Sequence, residues 1–221
     1  MTSQSPAAQP EPQPRFVVFE GGEGSGKSTQ SARLAETLRA AGHEVVVTRE
    51  PGGTTLGTSI RALLLDVRTR GLDPRAEALL YAADRAQHVA ELIRPALERG
   101  AVVISDRYVD SSLAYQGAGR ALARDEVAEL SAWATAGLVP GLTVVLDVDP
   151  AVGLVRARGV DAPDRLESEP MDFHQRVRQG FLDLAAAEPQ RYLVLDATQG
   201  AAAVASQVAA AALPVVGEVV A

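Results

Sequence analysis

The chain has no cysteine, which excludes disulfides, thiolate nucleophiles and cysteine-held metal centres. It has no asparagine and one lysine, Lys27; every other basic residue is arginine. Aromatics make up 4% of the residues. A membrane-spanning run is also missing. The longest uncharged stretch, 197–217, is interrupted by Ser206, Gln207 and Pro214. Its Val204, Val208 and Ala212 recur every fourth residue, as in a helix packing one face on a core. The three histidines, His43, His88 and His174, show no metal-ligand spacing. A net charge of −7 argues against a broad nucleic-acid surface, while leaving room for arginines gathered around a small anion. Residues 1–14, rich in Pro and Gln, lack the apolar centre of a signal peptide and read as a disordered tail. No membrane partner and a cytoplasmic location are expected.

What is present is alternation. A length of 221 residues fits one domain with a sizeable core. Apolar, β-branched runs at 16–19, 44–48, 101–105, 142–148 and 192–197 read as fully buried strands. Helical patterns lie between them, at about 27–41, 57–66, 75–99, 111–116, 125–137, 150–158, 172–187 and 200–212. The fold class is therefore α/β, a five-stranded parallel sheet flanked by helices. Its strands end on one edge, where ligands bind.

The stretch GGEGSGKST follows the first strand and opens the first helix. Gly21, four residues, then Gly26-Lys27-Ser28 is the spacing of a phosphate-binding loop. Such a loop, here Gly21, Gly22, Glu23, Gly24, Ser25, Gly26, Lys27, Ser28 and Thr29, turns backbone N–H groups toward a phosphate and adds the positive end of a helix dipole. Lys27 brings a compact charge to the β/γ-phosphates and Ser28 a hydroxyl for Mg²⁺. The pattern leaves GTPase, ATPase and kinase open. A GTPase needs an Asn-Lys-x-Asp motif, which a chain without asparagine cannot supply. The third strand runs into Asp106-Arg107-Tyr108, an acid able to hold Mg²⁺ beside an arginine able to hold a second phosphoryl group.

Together with GGEGSGKST, the segments TREPGGT (48–54), YAADRAQH (81–88), DRYVDSSLAYQG (106–117), RARGVDAPDRLE (156–167) and FHQRVRQGF (173–181) resemble bacterial thymidylate kinase, from about residue 15 to 212. The resemblance implies the P-loop nucleoside-monophosphate-kinase fold over 15–213, with a lid loop at about 156–167 and a tail at 214–221. It also implies transfer of the γ-phosphoryl group of ATP to dTMP with Mg²⁺, for dTTP synthesis, by a homodimer. Another P-loop nucleoside or nucleotide kinase, or a nucleotide-binding regulatory module without catalysis, is the alternative.

Carried onto these positions, Arg107 grips the dTMP phosphate, with Arg49 and Arg61 as further candidates. Glu23 meets the sugar 3′-hydroxyl, and Arg85 reaches thymine O4. Tyr81 stands where many relatives stack a phenylalanine. Ser112 and Gln116 are placed to read N3–H and O4. Tyr115 resembles the residue that crowds C2′, though an aromatic at this spacing equally suits core packing. The phosphate loop carries no arginine, so the lid must supply the transition-state charge. Arg158 is favoured, then Arg156 and Arg165, with Lys27 and Arg107 completing the catalytic set and Asp106 joining Ser28 at the metal. Lys27 is expected on a solvated loop.

Overall fold

The computed structural model describes residues 11–69, 71–120, 122–158 and 164–218. Five strands among them form one parallel sheet: β1 (Gln13–Glu20), β2 (Val45–Arg49), β3 (Val102–Asp106), β4 (Pro140–Asp147) and β5 (Tyr192–Asp196), in the order β2-β3-β1-β4-β5. The first strand is central and the chain winds outward on both sides of it. The crevice at its C-terminal end is the topological switch point, where open α/β sheets bind ligands. Register aligns Phe19 and Arg49 with Asp106, and Asp147 with Asp196, so polar residues cluster along that edge.

Alternate strand residues feed two cores. Val17, Phe19, Ile104, Val144 and Leu146 pack against α1 (Lys27–Ala40) and α9 (Ala201–Val216). Phe16, Val18 and Val103 pack on the opposite face with Val89, Ile93 and Tyr108. β1, β3 and β4 are buried on both faces, as their unbroken apolar runs demand. β2 and β5 are edge strands, and they differ from the expectation: Val47 is 43% exposed and Val194 is comparably open.

The expected helix at 75–99 is three pieces: α3 (Pro74–His88), a π-helical turn (Val89–Ile93) and α4 (Arg94–Glu98). Pro95 explains the break, because its ring would collide with the carbonyl four residues back and a wider turn relieves this. A second π turn (Leu113–Gly119) follows α5 (Val109–Ser112) and carries Tyr115 and Gln116. α8 (Met171–Ala187) packs on it so closely that a Cβ at Gly119 would strike the Phe173 ring. The remaining helices are α2 (Thr55–Leu65), α6 (Arg124–Thr135) and α7 (Pro150–Arg158), with a short 3₁₀ turn at Val67–Thr69. At the ends, β1 begins at Gln13 and α9 continues through Pro214 to the buried Val216. Among the described residues no helix is long and apolar enough to cross a membrane.

Candidate active site

The strand β1 ends at Glu20, and the loop that follows turns sharply enough to need glycine. Gly24 has φ 62°, and a Cβ there would collide with the carbonyl of Gly153 in α7. Gly26, also left-handed, precedes α1 and offers no side chain to cap it, leaving the first-turn N–H groups for an anion. Lys27 folds back over this loop. Its Nζ donates to the carbonyls of Gly21 (3.1 Å) and Gly22 (2.8 Å) and to Ser25 Oγ (3.4 Å). The residue is 7% exposed, not on a solvated loop as the sequence suggested, because the glycine carbonyls draw the ammonium inward. Ser28 Oγ donates to Asp106 Oδ2 at 2.7 Å, joining the start of α1 to the end of β3.

Arg107 links this loop to a second compartment. Its backbone is left-handed (φ 75°), a strained state for a non-glycine residue. Glu20 secures the turn: Tyr108 N–H and Ser111 N–H donate to Glu20 Oε1, and Ser111 Oγ donates to Oε2. Burial, and then the charge of Asp110, push Glu20 up to about 8 against the pull of Arg107. The Arg107 guanidinium donates to Gly21 O (3.2 Å) and Glu23 Oε1 (2.7 Å) and lies over the Tyr115 ring. Tyr115 OH also donates to Glu23 Oε1 (2.7 Å). Burial alone would raise the Glu23 carboxyl, but the charges of Arg107 and Lys27 and the Tyr115 hydrogen bond bring it down to about 2.

Beyond Arg107 opens a cavity lined by Glu23, Arg61, Tyr81, Arg85, Arg107, Ser112, Tyr115 and Gln116 among others. Arg61 is held below its usual pKa, first by burial and then by the like charges of Arg49 and Arg107. Guanidiniums crowded in this way form a receptor for an anion. Deeper in, α3 presents Tyr81 and Arg85 one helical turn apart. The Arg85 guanidinium is buried, donating to Glu50 Oε2 (2.8 Å), Tyr108 O (3.0 Å) and Ser112 Oγ (3.1 Å). Glu50 is in turn set by His88, whose Nδ1 lies 2.9 Å from Glu50 Oε1 and whose Nε2 lies 2.7 Å from Thr48 Oγ1.

Three comparisons bear on this constellation. The thymidylate kinase family profile matches residues 19–208. Thymidylate kinases from Deinococcus radiodurans (61% identical, over 83% of this chain and 89% of that one) and Clavibacter sepedonicus (59%, over 89% and 93%) align with it. The crystal structure of thymidylate kinase from Ehrlichia chaffeensis superposes with a TM-score of 0.73 at 36% identity, over 89% of this chain and 96% of that one. The chain belongs to the thymidylate kinase family.

A thymidylate kinase needs a nucleotide on each side of the phosphate loop, and a second concavity lies on the far side. Ser25, Gly26, Thr29, Gln30, Arg156 and Gln199 line it, and Arg156 Nη1 donates to Ala197 O at 2.9 Å. Asp196, which precedes the lining residue Ala197, accepts from Thr198 N–H and Oγ1, while Gly200 takes the cap position of α9. The expected lid divides into three parts. α7 carries Arg156 and reaches Arg158, whose side chain lies outside the described residues, as do residues 159–163. The last part is fixed: Arg165 is 5% exposed, pairs with Glu77 (2.6 Å) and donates to Leu64 O (2.8 Å). In this conformation it is no free lid arginine, because the buried carboxylate of Glu77 claims it. Neither Glu77 nor Glu50 was a sequence-level candidate. Glu77 had a signal, since it stands four residues before Tyr81 and eight before Arg85 on one helix face.

Proposed function

We propose that the γ-phosphoryl group of ATP passes to the phosphate of dTMP in the cleft bridged by Arg107, giving ADP and dTDP. The bond from the γ-phosphorus to its bridging oxygen breaks as a dTMP phosphate oxygen attacks. That oxygen is already anionic near neutral pH, so no general base is needed. Catalysis then rests on alignment and charge stabilisation. The observation that carries this reading is the reach of Arg107, which contacts the phosphate loop through Gly21 O and the acceptor cavity through Glu23. Arg49 and Arg61 join it on the acceptor phosphate, and Lys27 takes the β- and γ-phosphates. Ionised Glu23 accepts the sugar 3′-hydroxyl. Arg85, Ser112 and Gln116 contact the base edge, and Tyr81 its face. Arg158, with Arg156 beside it, brings the transition-state charge on lid closure.

Mg²⁺ fits Ser28 and Asp106. Both are hard oxygen donors, already joined across 2.7 Å beside the loop. Among the described residues no cluster of three or more His, Cys, Asp or Glu side chains assembles a cage, which suits a cation that leans on phosphate and water oxygens. When bound it neutralises charge on the phosphates. A coupled assay with ATP and dTMP, against dCMP, UMP and thymidine, tests the whole reading; turnover with thymidine in place of dTMP would make it a nucleoside kinase. The reaction serves dTTP synthesis in the cytoplasm.

Tyr115 carries a prediction. It packs edge-on against Phe173 and Phe181 and faces the cavity, so it is both core and wall. Tyr115→Ala is expected to raise kcat/KM for the ribonucleotide relative to dTMP by about 10–200-fold. Tyr115→Phe keeps the ring and should leave that ratio unchanged while weakening the hold on Glu23. Equal losses on both sugars in Tyr115→Ala would make the residue core alone.

A homodimer is supported by exposed apolar side chains on neighbouring helices. Leu56 and Leu63 on α2, Leu79 on α3 and Trp133 on α6, itself 81% exposed, are uncovered on helices that pack side by side. Trp133→Glu is expected to convert the dimer to monomer in light scattering; an unchanged mass would move the interface elsewhere.

A further inference from the structure

Glu77 lies behind the base cavity, fully buried, and takes no part in the substrate contacts proposed above. Gln116, which lines the cavity, donates its side-chain Nε2 to Glu77 Oε1 at 2.8 Å. The other places on the carboxylate are taken. Arg120 donates from Nε to Oε1 and from Nη2 to Oε2, both at 3.3 Å, and Arg165 Nη1 lies 2.6 Å from Oε2. We propose that Glu77, without touching substrate, sets the choice of base by locking the amide of Gln116 with its carbonyl turned to the cavity.

Donors and acceptors decide the sense of the amide. A side-chain amide is nearly symmetric in shape, and its two orientations differ in what they offer: one presents an acceptor to the cavity, the other a donor. An ionised carboxylate only accepts. Burial would raise Glu77, yet the hydrogen bonds from Gln116 and Arg120 and the charges of Arg165 and Arg120 keep it below the usual carboxylate range. Turning the amide over would press its carbonyl oxygen against the carboxylate in a site closed to water and would forfeit the donated hydrogen bond. The amide is therefore held in one sense, and the cavity sees an acceptor.

Arg85 supplies the opposite sign. Its guanidinium has five N–H donors. Glu50, Ser131, Tyr108 O and Ser112 take one each, and since Arg85 lines the cavity, the fifth, on Nη1, is the donor assigned to the base. An acceptor at Gln116 and a donor at Arg85 match a pyrimidine with N–H at position 3 and a carbonyl at position 4. Cytosine reverses both, with an acceptor at N3 and an amino group at C4. Thymine and uracil share this edge, so the device separates keto from amino pyrimidines and leaves the 5-methyl group to other contacts. The proposal rests on Gln116 being a base contact.

Steady-state kcat/KM for dTMP, dUMP and dCMP at saturating ATP, in four variants, tests it. Glu77→Gln can accept from or donate to Gln116, which frees the amide to turn. The dTMP/dCMP ratio should fall by about ten- to hundred-fold, while the dTMP/dUMP ratio stays within twofold. Arg85 still opposes the cytosine amino group, so selectivity is reduced and not abolished. Glu77→Asp keeps the counter-charge for Arg165 and Arg120, and with it the fold, but withdraws the carboxylate by one methylene from Gln116; its dTMP/dCMP ratio should fall as well. Gln116→Leu removes the amide and should lower the same ratio. In the Glu77→Asp/Gln116→Leu double variant, the change at Glu77 should have no further effect on the ratio. A wild-type ratio in Gln116→Leu would show that Gln116 does not read the base, and the proposal falls with that reading. A reduced ratio in Gln116→Leu with a wild-type ratio in a folded Glu77 variant would overturn the proposal alone. So would equal losses on all three substrates in the Glu77 variants, which mark a structural role.

Discussion

Lys27→Ala is expected to lower kcat by about 10³-fold, the scale on which a single preorganised charge-stabilising donor matters. The ammonium sits inside the loop that follows β1, bonded to Gly21 O, Gly22 O and Ser25 Oγ. Phosphate oxygens entering that loop would exchange with these acceptors, so the charge meets the nucleotide without rearranging its surroundings. Burial, and then the charge of Arg107, lower the Lys27 pKa, while Glu23, Asp106 and Glu20 oppose the shift. A compact, three-donor ion suits a concave ring of carbonyls. The planar guanidinium of Lys27→Arg presents a wide fork to the same space and should restore little activity. Because the side chain is buried and bonded, the alanine variant should also lose about 1 kcal/mol of stability, seen as a small drop in the thermal midpoint without ATP. Turnover near wild type in Lys27→Arg would defeat this account of why a chain otherwise built with arginine retains one lysine.

Much of this architecture was legible from residue order. Apolar runs of four to seven residues between amphipathic segments give a parallel sheet almost without alternative. Once the sheet is parallel, the phosphate loop and Asp106-Arg107 must fall on one edge. Other features were hidden for physical reasons. Edge and central strands read alike, since both carry β-branched residues and pairing order is a long-range property; Val47 and Val194 are open only because β2 and β5 have one neighbour each. The π turns are local responses to Pro95 and to the close packing of α8, and periodicity of 3.6 does not register an added residue. Polar partnership was hardest to read. The segment RARGVDAPDRLE has the mixed charge and Gly/Pro content of a mobile loop, and nothing in it reveals that Arg165 is bound by a carboxylate far away in sequence. Glu77 and Glu50 likewise look like ordinary helix and loop charges until the fold closes around them.

The arginines of the lid and of the strand end should separate kinetically. Arg107 is fixed at the end of β3 by its backbone N–H to Phe19 O (2.9 Å) and by Glu23. The role proposed for it, holding the dTMP phosphate, is therefore one it fills already in the ground state. Arg107→Ala should raise KM for dTMP by about 10²-fold, as expected when one member of a buried charge pair is truncated. It also strips Glu23 of its main counter-charge, so the carboxyl now held at about 2 should titrate higher, and the KM defect should deepen at acid pH as Glu23 loses the charge proposed to receive the sugar hydroxyl. Arg158 closes a helix that lies against the phosphate loop, where Gly153 and Gly24 meet backbone to backbone. Losing a contact made only as charge spreads onto the transferring group lowers kcat and leaves KM for dTMP nearly unchanged. Arg158→Ala is expected to cost about 10³-fold in kcat on that basis. Two controls bracket the result. Arg156→Ala should act mainly on KM for ATP, since its guanidinium reaches Ala197 O in the second concavity, the one left for the donor nucleotide under the proposed function. Arg165→Ala should act through stability and dTMP selectivity, because it leaves Glu77 short of a partner. Steady-state kinetics on all four variants decide the matter. If Arg158→Ala weakens dTMP binding instead, or if Arg156→Ala or Arg165→Ala shows the larger loss in kcat, the transition-state charge comes from elsewhere on the lid.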